Sequence, residues 1–346
     1  MAEPERLFER MGIKALFLVW GAPQGSHRSE LIARLLGLDI KHIYIIARQG
    51  KLLAPFKYTW QFFATLFFLA RNQYELVFVQ DPPIFAVLTV YFFGLFQKTY
   101  FIIDSHTDAL QALWWKWTLP LHRFLERRAI TTIVTNDRLR DMVVGWGQRC
   151  MVLEDPPIQA LISEPTTLPG DSFKVVMVST ADYDEPVQEV VQVAASLADC
   201  DFYITGDFKH SRHHQGVIEN APPNVHFTGY LREGFMPLLN AANVIICLTS
   251  EDNTFLSGNN EALWLGKPLI TSDWPILRRY FSKGTIYVDN SVEQIRQSVI
   301  EMRQHLGVYQ SGILELQQER RREWWSKVDD LVQLVQQKMK MSSEES

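Results

Sequence analysis

Cysteine is scarce in this 346-residue chain, and Cys150, Cys200 and Cys247 are too few and too scattered for a disulfide framework or a paired-cysteine metal site. They read as small buried apolar residues of a protein kept in a reducing compartment. Glycine and proline are modest, at 18 and 16, which excludes a collagen-like or low-complexity chain. The longest apolar run, residues 86–96, is far short of the ~20 residues a membrane-spanning helix needs. The opening MAEPERLFERMG is charged and lacks the apolar core of a secretory signal, so a cytoplasmic location is expected. Positive charge is not in excess either: 34 Lys and Arg stand against 39 Asp and Glu, which argues against nucleic acid as a partner. Neither a GxGxxG fingerprint nor a Walker loop occurs, which disfavours NAD and ATP chemistry.

What is present is the balance of a folded protein, with 47% hydrophobic and 21% charged residues and length for about two domains. Apolar runs at residues 15–20, 42–47, 76–80, 99–104 and 132–135 alternate with stretches of helical period, as at Leu31, Ile32, Leu35 and Leu36. That alternation is the pattern of a parallel sheet covered on both faces. A Pro-rich acidic stretch at 154–171 breaks it, and a second series follows with runs at 174–179, 201–205, 225–227, 244–248, 268–271 and 285–288. The expected fold is α/β, with two tandem Rossmann-like domains and a cleft between them. The N-terminal domain covers 1–160 and the C-terminal domain 161–315. Over 316–346 a helix with an apolar stripe at Trp324, Val328, Leu331 and Val335 packs back on the first domain and ends in a frayed tail.

In open α/β sheets ligands bind beyond the carboxyl ends of strands, so the loops there are where chemistry is sought. Ser257-Gly258-Asn259-Asn260 places small side chains and backbone N–H groups at a helix start, which suits a phosphate and equally suits an ordinary N-cap. Glu261, just inside that helix, can complement the helix dipole or accept hydrogen bonds from sugar hydroxyls. In the front half, Asp104, His106 and Asp108 follow a strand, where a His or Asp can take a proton from an attacking hydroxyl. Asp81 is the competing base, or a cap for the next helix. The loop carrying Gly25, Ser26 and Arg28 can approach a phosphate or an acceptor charge. Lys209, His210, Arg212, His213 and His214 form a basic loop that is either a phosphate contact or a solvated surface; no metal site is expected there. Aromatics at 58–69 and 114–117 lie beside Lys51, Lys57, Arg71, Lys116 and Arg123, a mixture that suits core packing or a peripheral contact with an anionic membrane.

The segment E-A-L-W-L-G-K-P-L-I-T-S at 261–272 resembles the E-A-x-x-x-G-x-P-V-I signature of GT-B glycosyltransferases. Asn224-Val225-His226-Phe227-Thr228-Gly229 and Leu238-Leu239-Asn240-Ala241-Ala242-Asn243-Val244 are similar to further segments of those enzymes. The resemblance implies that Glu261 binds the ribose of a nucleotide-sugar and that Ser257–Asn260 hold its diphosphate. Asn253 stands where the retaining members carry a second Glu, and residues 178–186 lack the Arg and Lys that usually neutralise the diphosphate. The basic loop that begins at Lys209 is the candidate to replace that pair. More distantly, Val79-Gln80-Asp81-Pro82-Pro83, Ile102-Ile103-Asp104-Ser105-His106 and 179–185 resemble segments of the chitobiosyl-diphosphodolichol β-mannosyltransferases, which are inverting and use GDP-mannose.

The resemblance therefore implies a hexosyltransferase of polysaccharide or glycan synthesis. It takes a nucleotide-sugar co-substrate, GDP-linked by the narrower likeness, and a glycan or lipid-linked acceptor, at the inner face of a membrane. No other cofactor is expected. Asp81 or His106, with Asp104, is the catalytic group. A sugar-nucleotide epimerase of the same fold and a non-catalytic nucleotide-sugar-binding partner or scaffold are the alternatives.

Overall fold

The computed structural model describes residues 7–23, 27–45, 54–157, 166–211, 213–214, 216–231, 234–252 and 255–344. Contacts divide the chain into two compact units, Met1–Pro156 with Glu323–Ser346, and Pro157–Arg322. Each is built on a six-stranded, wholly parallel sheet.

The first sheet takes β1 (Ala15–Val19), β2 (Asp39–His42), β3 (Leu76–Asp81), β4 (Tyr100–Ser105), β5 (Thr132–Val134) and β6 (Cys150–Val152) in the order β2-β1-β3-β4-β5-β6. Every residue of β1 is buried, as a strand covered on both faces requires. On one face Phe17, Phe78 and Ile133 pack with Phe8 and with Trp324, Val328, Leu331 and Val335 of the terminal helix, so that helix does pack on the first unit. On the other face Leu18, Val77 and Ile103 meet the helices Ala54–Asn72, Ile84–Gly94 and Leu119–Glu126.

Two strands differ from the expectation. The run at 42–47 was expected to be a strand, and its last two residues lie outside the described ones; β2 ends at His42, because β1, its neighbour among the described strands, ends at Val19. One further bond, from Ile43 N–H to the Val19 carbonyl, exhausts the pairing. The edge strand β6 was not expected, since Cys-Met-Val is too short to register as an apolar run. Cys150, on that edge, is half-buried rather than buried, whereas Cys200 and Cys247 are buried; all three are free thiols.

The second sheet takes β7 (Phe173–Met177), β8 (Cys200–Thr205), β9 (Val225–Gly229), β10 (Val244–Cys247), β11 (Leu269–Ser272) and β12 (Thr285–Val288) in the order β12-β11-β10-β7-β8-β9. Val175, Phe202, Ile246 and Ile270 pack against the helices Val187–Ser196 and Val292–Gln304. The terminal helix starts earlier than its apolar stripe indicated and runs Leu306–Glu344. Its residues up to Arg322 belong to the second unit, where Arg320 donates to the Tyr280 carbonyl at 2.7 Å and Gln317 to that of Trp264 at 2.8 Å. From Glu323 it belongs to the first, where Trp324 Nε1 donates to the Glu154 carbonyl at 3.2 Å.

In both sheets the chain leaves its first strand in one direction and later returns to its other side. This puts a topological switch point between β1 and β3 and another between β7 and β10.

Candidate active site

At the carboxyl edge of the first sheet, β4 ends in Asp104 and Ser105, and His106 begins the helix Thr107–Gln111. Asp104 is fully buried, and its two oxygens have different partners. Oδ1 accepts from Arg28 Nη2 at 3.1 Å and Nε at 3.3 Å, and Oδ2 lies 3.3 Å from His106 Nε2. Burial pushes the Asp104 carboxyl up, but Arg28 and His106 together outweigh it and hold it at about 2. It is therefore ionised at neutral pH and can only accept, so His106 Nε2 is the donor of this bond. The His106 side chain is 28% exposed. An imidazole oriented through Nε2 by a buried carboxylate and partly exposed is the equipment of a general base.

The other expected residues of this edge are placed differently. Arg28 also reaches Asp155 Oδ1 at 2.9 Å and the Leu153 carbonyl at 2.7 Å, and its side chain is 9% exposed. It fastens β4 to the segment after β6 and is not held out toward a ligand. Gly25 and Ser26 lie outside the described residues. Asp81 is 0% exposed, accepts from Ser105 Oγ at 3.2 Å and lies 3.2 Å from His122 Nδ1. It does not cap the next helix, whose N-cap is Pro83. Burial, with the charges of Glu126 and Asp104, pushes its carboxyl well above the usual carboxylate range. Two residues missed by sequence reasoning complete this buried cluster. Burial lowers His122 to about 4 and raises Glu126 to about 8, both on the amphipathic helix Leu119–Glu126. Their i, i+4 spacing was the available signal, and polar side chains so spaced ordinarily mark a solvated face.

At the switch point of the second sheet the loops after β7 and β10 meet. The loop after β7 turns sharply at Ala181, with a left-handed φ of 63°. Its Thr180 and Asp182 N–H groups both donate to the Glu185 carboxylate, at 3.0 and 3.1 Å, as does Ser179 Oγ at 2.6 Å. Turns of this kind gather N–H groups around an anion, and here the chain supplies its own. Thr249, after β10, donates to Asp184, while its carbonyl accepts from Trp274 Nε1 and Asn290 Nδ2, each at 3.0 Å. Tyr183 Oη donates to Glu251 at 3.2 Å and ties the two loops together.

The helix Ser257–Leu265 starts beside these loops with Leu256 as its N-cap and no side-chain cap. Its first-turn N–H groups are thereby left to other acceptors. Gly258 lets it approach the sheet: a Cβ there would lie 2.8 Å from both Cys247 Sγ and Val178 Cγ1. Ser257 is exposed, whereas Asn259 and Asn260 are buried, and Asn259 Nδ2 donates to Thr271 Oγ1 at 3.1 Å. The side chain of Asn259 thus anchors the helix to β11. Glu261 is half-buried, one turn in. Burial and then the charge of Glu261 push the Cys247 thiol well up. Gly266 ends the helix with φ 66°, a left-handed cap that turns the chain into β11. Lys209 is exposed in the loop after β8, where His214 is buried with Nε2 2.7 Å from the Asp182 carbonyl. Arg212 and Asn253 lie outside the described residues. Among the described residues, no cluster of three or more His, Cys, Asp or Glu side chains is arranged to hold a metal ion.

The fold recurs in solved structures. Sucrose-phosphate synthase from Thermosynechococcus elongatus aligns over 95% of this chain and 100% of its own, with a TM-score of 0.68 at 12% identity. HepE from Anabaena, in complex with UDP and glucose, aligns over 96% and 99%, with a TM-score of 0.65 at 14% identity. The chain has the GT-B fold. A putative UDP-N-acetylglucosamine 2-epimerase from Listeria monocytogenes aligns over 87% and 91%, with a TM-score of 0.62 at 12% identity. No protein-family model matches the sequence, and no curated protein matches it. In this GT-B chain the E-A-x-x-x-G-x-P segment occupies the helix Ser257–Leu265 and its cap, at the switch point of the second sheet.

Proposed function

We infer that this protein is a glycosyltransferase that moves a hexose from a nucleoside-diphosphate sugar to a hydroxyl acceptor. The observation that carries the reading is the Asp104–His106 pair, an oriented base at the carboxyl edge of the first sheet of a GT-B chain. In the second unit, Glu261 accepts from the ribose hydroxyls, and the first-turn N–H groups at Ser257 and Gly258 receive the diphosphate. Asn253 and Lys209 are further donor contacts. The turn after β7 is occupied by Glu185, so the helix start is the anion site this unit offers.

The reaction is a single displacement. His106 Nδ1 takes the proton of the acceptor hydroxyl, and the freed oxygen forms a bond to the anomeric carbon. The bond from that carbon to the diphosphate oxygen breaks, and the nucleoside diphosphate leaves with the electron pair, its charge met by the helix start. Configuration is inverted, and water must be excluded because it competes as acceptor. The acceptor is a glycan or a lipid-linked sugar. The nucleotide is GDP by the motif likeness or UDP by the likeness to HepE. His106→Ala lowers the transfer rate about 10²- to 10⁴-fold and leaves donor binding intact; unchanged turnover would refute the assignment.

An epimerase is the second reading, favoured by the likeness to the Listeria protein. Formation of an epimerised nucleotide-sugar without acceptor supports it, and nucleotide release that depends on an added acceptor excludes it.

A further inference from the structure

The helix Ala54–Asn72 packs Leu69, Tyr58, Phe62 and Leu66 on the core of the first unit and yet keeps large aromatic side chains on its outer face as well. Its buried positions include Gln61 and Thr65, each needing a hydrogen bond to be tolerated there: Gln61 Nε2 donates to the Ile43 carbonyl at 2.7 Å, and Trp20 Nε1 to Thr65 Oγ1 at 2.9 Å. Its outward positions hold Phe56, Trp60, Phe63 and Phe67, spaced by four, three and four residues and 76%, 49%, 63% and 59% exposed. One stripe of a helix therefore presents four large aromatic side chains to the outside.

The stripe continues across the neighbouring helix. Phe63 touches Phe62, Phe62 touches Phe92, and Phe92 touches Phe96, with ring centroids 5.2–5.7 Å apart. Leu95, Phe96 and Trp117 are exposed on the segments that follow. A monomer rarely leaves an apolar area of this extent uncovered. The charge around it has one sign. Lys57, Arg71, Lys116, Arg123 and the Arg127–Arg128 pair lie on or just beyond these helices. In residues 54–72, 84–96 and 113–126 the one acidic residue, Glu126, is buried. Arg71 lies 4.0 Å over the Phe67 ring and Arg128 3.6 Å over Phe124, so guanidinium groups stand at the level of the exposed rings. Cations at the height of an aromatic stripe match the headgroup layer of an anionic bilayer, with the rings below it. No described helix is long and apolar enough to cross a membrane.

We propose that this face of the first unit, centred on Phe56, Trp60, Phe63 and Phe67, docks on an anionic lipid bilayer with the helix lying in the interface plane. This goes beyond the transfer reading and does not rest on it. The test is co-sedimentation of the full chain with vesicles of phosphatidylcholine alone and of equal parts phosphatidylcholine and phosphatidylglycerol. The wild type pellets with the anionic vesicles and is released by salt. Phe63→Ser/Phe67→Ser binds at least about tenfold more weakly, and Lys57→Glu/Arg71→Glu loses about as much at low salt. Both variants keep the wild-type melting temperature, since these side chains are outside the core. Failure of the wild type to pellet, or variants that pellet as well as it does, overturns the proposal. So does light scattering that finds a wild-type dimer and a monomeric Phe63→Ser/Phe67→Ser, which would give the face to a second copy.

Discussion

Asp104 and His106 were legible in the sequence because a strand end fixes where their side chains emerge. What the sequence could not reveal is that Asp104 divides its oxygens between His106, two residues away, and Arg28, 76 residues away. Arg28 accordingly read as a ligand contact and proves to be a clamp. The Asp81, His122 and Glu126 cluster was hidden for the same reason, since burial of a polar side chain is a property of the whole packing. It has a measurable consequence. Glu126 keeps its proton in the folded protein up to about pH 8 and releases it near 4.5 when unfolded, so the unfolded state binds fewer protons between those limits and stability falls as pH rises. His122 works in the opposite sense between about 4 and its ordinary 6.5, so stability rises with pH there. Above pH 6.5 Glu126 acts without that offset. Melting temperature should fall from pH 6.5 to 8 in the wild type. Glu126→Gln should be more stable by roughly 4 kcal/mol at pH 8 and lose part of that slope, the rest coming from Asp81, whose raised carboxyl acts in the same sense. Parallel slopes for the two proteins would remove Glu126 from the account.

At the scale of elements, strands with two neighbours were legible as apolar runs, as β1, β3 and β10 illustrate. The edge strands of the first sheet were not, whereas β9 and β12, at the edges of the second, were. The extent of β2 is set by where β1 ends, and β6 is three residues long. The terminal helix was recognised by the stripe that packs on the first unit, while its earlier half has a shorter apolar stretch, Ile313 and Leu316, supplemented by polar bonds such as that from Arg320. The helix Ser257–Leu265 was legible in place and polarity, but not the bond by which Asn259 anchors it to β11. Its position depends on Gly258. Gly258→Ala forces a methyl against Val178 and Cys247, so it should destabilise the protein by about 1–3 kcal/mol. It should also weaken nucleotide-sugar binding more than a far-lying substitution of equal cost. Unaltered binding and stability would show that the helix does not need this close approach.

For the molecule as a whole, the two-sheet architecture followed from periodicity and the Pro-rich break, because each unit buries its own core and each leaves a clear alternation. The proposed activity draws on two edges that supply different chemistry: an oriented imidazole in the first unit, and a helix start without a side-chain cap, followed by a carboxylate, in the second. Single displacement by His106 predicts a product of inverted anomeric configuration. The anomeric coupling constant of the product reads this out, and a retained configuration would exclude the step written above. The most direct test of the account is a thermal-shift series with GDP-, UDP-, dTDP- and ADP-linked sugars, run on the wild type and on Glu261→Ala. A ligand that binds only the folded state at a hundredfold excess over Kd adds about 2.7 kcal/mol, enough for a rise of about 5 °C or more. The account predicts such a rise with sugars of one nucleotide, largely lost in Glu261→Ala; no rise with any of the four would contradict it.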